Sequence, residues 1–264
     1  MSETNQNVFY TPTTINAHVL SKGKIYNETS LLYNKEAIEI REMSGQEEDI
    51  LTSPALIRSG NVIDLVLKNC ILNKDIDIGE LILGDRNSII IHLILASYGN
   101  SYKADVTCNN CNYKNEKYDF DVSKLPVKFL EKEPIEKGKN EFEFLLPKSK
   151  LNIRFKLLTH KEDKEIREVV DKLKKVTKDQ REKYSTTRLK YEIVAINNNY
   201  DKSKISFFID SNQMPIADIG ALRNYIDEIS PDIITEQEFK CSSCGETDVI
   251  KIPLAYEFFW RSGK

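Results

Sequence analysis

The chain has 264 residues, 38 basic and 41 acidic, for a formal net charge of -3. That length supports one large domain or two small ones with a real core. The balanced charge argues against a dedicated nucleic-acid binder, which shows a clear basic excess or stripe. The longest apolar stretch, residues 89–96, is interrupted by His92 and is too short to span a bilayer. The polar start, residues 1–14, lacks the charged and apolar regions of a signal peptide, and reduced cysteines then fit synthesis in a cytoplasm.

Residues 1–35 are rich in Asn, Thr and Ser, carry scattered aromatics (Phe9, Tyr10, Tyr26, Tyr33) and show no helical period. They read as an extended N-terminal arm that orders on a partner, or as a plain disordered tail. A helical lobe is expected over 36–100. In it, Glu47, Glu48 and Asp49 are first-turn carboxylates that favour the positive end of a helix. Residues 60–72 have helical spacing. Residues 75–83 read as a short helix closed by Gly84, after which Asp85 is placed to cap a buried apolar helix over 86–97.

Residues 101–156 contain the first of two Cys-x-x-Cys turns, Cys108 and Cys111, followed by strand pairs at 141–146 and 152–157 that could extend its sheet. A helical insertion follows over 157–232. Residues 161–178 place Ile166, Val169, Val170, Leu173 and Val176 on one apolar face, 186–196 continue helical, 204–209 read as a strand, and 216–229 form an amphipathic helix. The last segment, 233–264, holds the second turn, Cys241 and Cys244, and an aromatic end at Tyr256, Phe258, Phe259 and Trp260.

Two Cys-x-x-Cys turns supply four thiolates, the complete ligand set of a closed structural zinc site. Asn112 and Gly245 each follow a second cysteine, and both residue types enter positive φ cheaply. Strand-like runs border each pair, so the expected fold is α+β, with helical lobes around a discontinuous zinc-ribbon-like β element. The gap of about 130 residues far exceeds the usual spacing of about 15–20. Closure entropy grows only logarithmically, so a folded insertion is permissible. Two unrelated thiol pairs and a redox pair are the alternatives, and the four ligands could come from neighbouring chains. Cys70 reads as a small buried hydrophobe. Lysines near the knuckles (Lys114, Lys117, Lys240, Lys251) would offset the negative charge of a four-thiolate site or touch phosphates in a nucleic-acid-binding ribbon. No histidine stands at metalloenzyme spacing to another, and no phosphate loop, dinucleotide fingerprint or nucleophile elbow is present.

Residues 40–51 (IREMSGQEEDIL), Gly84-Asp85-Arg86, Ser97-Tyr98-Gly99 with Tyr102, the two knuckles, Leu145-Leu146-Pro147, Leu157-Leu158-Thr159 and Phe258-Phe259-Trp260 together resemble the T-even-type baseplate hub family of contractile-tail phages. The resemblance implies a non-enzymatic role in building or forming the hub and tail-proximal baseplate. Its partners would be other baseplate and tail proteins or copies of the chain itself, first in the host cytoplasm and then in the virion. Arg261 stands where the family often has proline, a departure that bears on how this end docks and not on the cysteines.

Overall fold

The computed structural model describes residues 10–176, 183–211 and 213–252. Strands β1 (Thr14–His18) and β2 (Ala37–Arg41) pair antiparallel, with Ala17 opposite Ile38 and Ile15 opposite Ile40. The connection between them turns back onto the body, burying Val19, Leu20, Ile25, Tyr26 and Leu32. From Ala17 onward the expected arm therefore contributes side chains to the core, while Tyr10 stays exposed. Apolar residues dispersed in a non-periodic loop carry no helix or strand signature, yet here these five are covered, while Leu31 among them is exposed. Gly23 (φ +68°) lets the loop fold on itself, because a Cβ there would lie 2.4 Å from the Leu32 carbonyl oxygen.

Three short helices follow: α1 (Gly45–Thr52), α2 (Pro54–Ser59) and α3 (Val62–Cys70). Glu47 does more than face the helix dipole. Ser44 donates to it through backbone N and Oγ, and Arg41 binds it through both terminal nitrogens at 2.8 and 3.0 Å. Burial opposes its charge, but Arg41 and the Ser44 donors hold its carboxyl down at about 2.

Helix α4 (Leu83–Tyr98) is the centre of the molecule, with Ile89, Ile90, Ile91, Leu93 and Ile94 all buried. The expected helix over 75–83 is absent; hydrogen-bonded turns occupy this stretch, from Asn73 to Ile76 and from Asp77 to Glu80. Gly84 is not a helix stop. It lies in the first turn of α4 against the chain after the last helix, where a Cβ would sit 1.7 Å from the Pro231 carbonyl oxygen. Nor is Asp85 a cap. Fully buried, it accepts from Ser21 N (2.8 Å), Ser21 Oγ (2.6 Å) and Tyr26 OH (2.6 Å), while the Tyr26 oxygen accepts from Ile82 N. Arg86 pairs with Asp64 of α3 at 3.0 Å. The Gly-Asp-Arg triplet thus fastens three separate segments to one helix end.

Two hairpin strands, β3 (Ser101–Thr107) and β4 (Lys114–Asp121), carry the first knuckle between them. Then come β5 (Val127–Lys128), β6 (Phe142–Leu145), β7 (Asn152–Phe155), α5 (His160–Val176), α6 (Tyr184–Glu192), β8 (Ile193–Ile196), α7 (Lys202–Asp210), α8 (Ile216–Ile229), β9 (Asp232–Ile233), β10 (Glu236–Lys240) and β11 (Thr247–Lys251). Strands β10 and β11 form the second knuckle hairpin, and β5 pairs with β9.

Strands β6, β7 and β8 make a separate three-stranded sheet, so the expected extension of the ribbon's sheet does not occur. The helix expected over 186–196 ends at Glu192, because Ile193–Ile196, with three β-branched residues, pairs with β7. The expected strand at 204–209 is helix α7. Asp201 caps it by accepting from Ser203 N and Lys204 N, and Ile205 and Ile209, one turn apart, are its buried face.

The segments read as separate lobes share one core. A single buried cluster runs from Ala17 through Leu67, Ile90, Phe120, Phe155 and Leu222 to Phe239 and Ile252, and a small second one gathers Leu158, Ile166 and Val170 under α5. The aromatic end at 256–261 lies outside the described residues.

Candidate metal centre

Each knuckle is built by the same backbone pattern. In the first, Asn112 N donates to the Cys108 carbonyl and Cys108 N to the Tyr113 carbonyl; in the second, Gly245 N donates to the Cys241 carbonyl and Cys241 N to the Glu246 carbonyl. Asn112 (φ +57°) and Gly245 (φ +73°) take the left-handed conformation that lets each turn close. The hairpins meet through the aromatic side chain of Tyr118 on β4. Its ring centroid is 4.8 Å from that of Phe120 and 4.9 Å from that of Phe239 on β10.

This docking brings all four cysteine sulfurs within 4.8 Å of one another. Cys108 Sγ is 3.7 Å from Cys244 Sγ, and Cys111 Sγ is 3.7 Å from Cys241 Sγ. A tetrahedron with metal–sulfur bonds of about 2.3 Å has edges of about 3.8 Å, so the arrangement fits one ion coordinated by sulfur. Cys108 and Cys241 are buried, and Cys111 and Cys244 face outward.

The thiols alone make an unbalanced set. The Cys244 backbone N–H, opposed by burial and joined by the Asn115 side chain and the Ser243 N–H, draws Cys241 down to about 6. The Tyr113 backbone hydrogen bond favours the Cys111 thiolate, but burial and the three neighbouring thiols push that group up to about 12. Thiolates this close repel unless a cation lies among them, so the donor set suits a soft or borderline divalent ion.

Cys70 is remote from this cluster; burial pushes its thiol up to about 12, as expected of an inert buried cysteine. The histidines are also engaged elsewhere. His18 and His92 pack edge to face at 5.1 Å, His92 Nδ1 lies 2.8 Å from the Ser88 carbonyl, and His160 lies 2.8 Å from the Asp64 carboxylate. Among the described residues, the four cysteines are the one group of His, Cys, Asp or Glu side chains placed to share an ion.

One contributor escaped sequence reasoning. Asn115, on β4, is 5% exposed and reaches across to the second knuckle. Its position four residues after Cys111 carries no signal on its own; only the docking of the hairpins reveals it.

Fold and site together define an α+β protein built around paired cysteine knuckles, and none of its described helices is long and apolar enough to cross a membrane. A family model described as T4 bacteriophage base plate protein matches residues 24–260, and the chain belongs to that family. Its role is accordingly structural, exercised through contacts with other proteins, and not enzymatic. No curated protein and no solved structure matches the chain.

Proposed function

We propose that this chain is a hub or tail-proximal component of a contractile phage baseplate, whose two hairpins are stapled by one structural Zn2+ held by Cys108, Cys111, Cys241 and Cys244. Family membership over residues 24–260 carries the assembly role, and the convergence of four sulfurs carries the staple. The ion would supply charge neutralisation and a fixed tetrahedral geometry. The chain would contribute the turns that aim the sulfurs and the strands that hold the turns together. Synthesis would take place in the host cytoplasm, followed by incorporation into the tail. Its partners would be other baseplate or tail proteins or further copies of the chain. The outward-facing knuckle tips are the surface we assign to such contacts, and the aromatic segment at 256–261, which lies outside the described residues, is expected from its sequence to reach a neighbour.

A zinc-ribbon nucleic-acid binder is the rival reading, and it calls for cations available at the knuckles. Of the four lysines near the knuckles, Lys114 lies 2.7 Å from Asp105 and Lys251 lies 3.7 Å from Glu236, so two of them face carboxylates. A tagged pull-down from infected cells, size-fractionated and read by mass spectrometry, tests the proposal. Recovery in a large particle with tube, sheath or baseplate proteins is expected, whereas recovery with polymerase or nucleic acid overturns it. Native mass spectrometry of the monomer should show one zinc per chain; metal found only in dimers would place the ligands on two chains.

A further inference from the structure

We infer that Asn115 is a positioning residue of the metal centre: it orients the Cys241 sulfur and ties the second knuckle to the first. The inference rests on the zinc reading above. Asn115 Oδ1 accepts from Ser242 N at 2.9 Å and from Ser242 Oγ at 2.7 Å, while Nδ2 lies 3.6 Å from Cys241 Sγ. The amide orientation is determined by chemistry, because a backbone N–H can only donate and the atom facing Ser242 N must be the oxygen. The amide hydrogens are therefore left to face the sulfur and the carbonyls of Tyr113 and Val106, at 3.3 and 3.5 Å.

Asn115 belongs to one hairpin, and two of its partners, Ser242 and Cys241, belong to the other. A four-thiolate zinc centre carries two negative charges, and N–H groups aimed at its sulfurs disperse that charge and hold each sulfur on its axis. Asn110 makes the outward counterpart, with Nδ2 3.8 Å from Cys244 Sγ, but it is exposed and water can replace it. Asn115 is buried, and nothing can replace it there. The tie also matters for assembly of the site, because the two half-sites are about 130 residues apart and must be held together before one ion can bridge them.

The test compares Asn115→Ala, Asn115→Asp and Asn110→Ala in the full chain, with zinc affinity measured by chelator competition and Co2+ used as a spectroscopic substitute. Asn115→Ala is expected to weaken zinc about 10–100-fold. It should also move the sulfur-to-cobalt charge-transfer band to lower energy, since the sulfur loses a donor, while the tetrahedral ligand-field bands persist. Asn115→Asp should weaken binding further, by placing a carboxylate beside a dianionic centre. Asn110→Ala should change affinity less than about threefold. Wild-type affinity with an unmoved charge-transfer band in Asn115→Ala overturns the inference. If the Asn115 variants fail to fold, Ser242→Ala decides: it removes one of the two bonds to Oδ1 and should cost about 2–5-fold in affinity, no loss refuting the tie. Absence of metal binding by the wild-type chain would instead refute the zinc reading itself.

Discussion

The two ends of the described chain are held by different physics. The N-terminal loop, residues 19–36, is fixed by burial: Val19, Leu20, Ile25, Tyr26 and Leu32 enter the common core, and Asp85 of α4 takes three hydrogen bonds from Ser21 and Tyr26. The knuckle hairpins have little core of their own. Val106, Phe120 and Phe239 are buried with Cys108 and Cys241, but the rest of each turn is exposed and the four sulfurs lie together at its base. The first region needs no ion, whereas on the zinc reading proposed above the second would depend on neutralising its thiolates. An element can be essential to the fold without periodicity, and a conspicuous motif can be only a local staple.

The largest effect expected from breaking this comparison is deletion of residues 2–30. It removes Val19, Leu20, Ile25 and Tyr26, four buried side chains at about 1.5–3 kcal/mol each, and strips Asp85 of its donors, so the chain should not fold at all. A cooperative melt by circular dichroism in the truncated protein would contradict the buried-loop account.

Next is Gly84→Ala. Its methyl group would lie 1.7 Å from the Pro231 carbonyl, forcing α4 and the chain before β9 apart. A loss of about 3 kcal/mol or more is expected in urea unfolding, larger than an ordinary glycine-to-alanine change in a helix, which stabilises.

Smaller and more local is Cys111→Ser. Zinc affinity should fall more than about tenfold. Hydrogen exchange should quicken in β3, β4, β10 and β11 while amides of α4 keep their protection. Equal loosening of α4 would mean that the staple supports the whole molecule.

The smallest effect is in acid. Glu47 has its carboxyl held down at about 2, against a usual value near 4.5. Because the folded pKa is depressed, this group's contribution is fully present above about pH 4.5 and is lost as pH falls through about 2. Glu47→Gln should flatten the fall in melting temperature across that window, and an unchanged slope would show that Arg41 and Ser44 do not stabilise the charge.

The cysteine centre was legible because its chemistry is local. Two four-residue turns, each followed by a residue suited to positive φ, and flanking strand-like runs identify a knuckle without reference to the rest of the chain. Helix α8 was equally legible, its apolar phase matching Ile216–Ile229. The misread elements are those in which a distant partner outweighs local preference. Ile193–Ile196 became a strand because β7 offered an edge, and residues 204–209 became a helix because Asp201 capped them and one face was buried. Gly84 and Asp85 resembled a helix stop and a cap, but their identities answer to Pro231, Ser21 and Tyr26, each far away in sequence.

By itself, then, the sequence determined the α+β class, the four cysteines that converge, the knuckle turns and the kinship with baseplate proteins, since composition, short-range spacing and local backbone preference carry that information. Only the tertiary structure decided that the N-terminal loop is core, that the lobes share one interior, and that Asn115 bridges the two knuckles. Burial and cross-chain hydrogen bonding join residues that no sequence period relates, and their energies appear only when the partners meet.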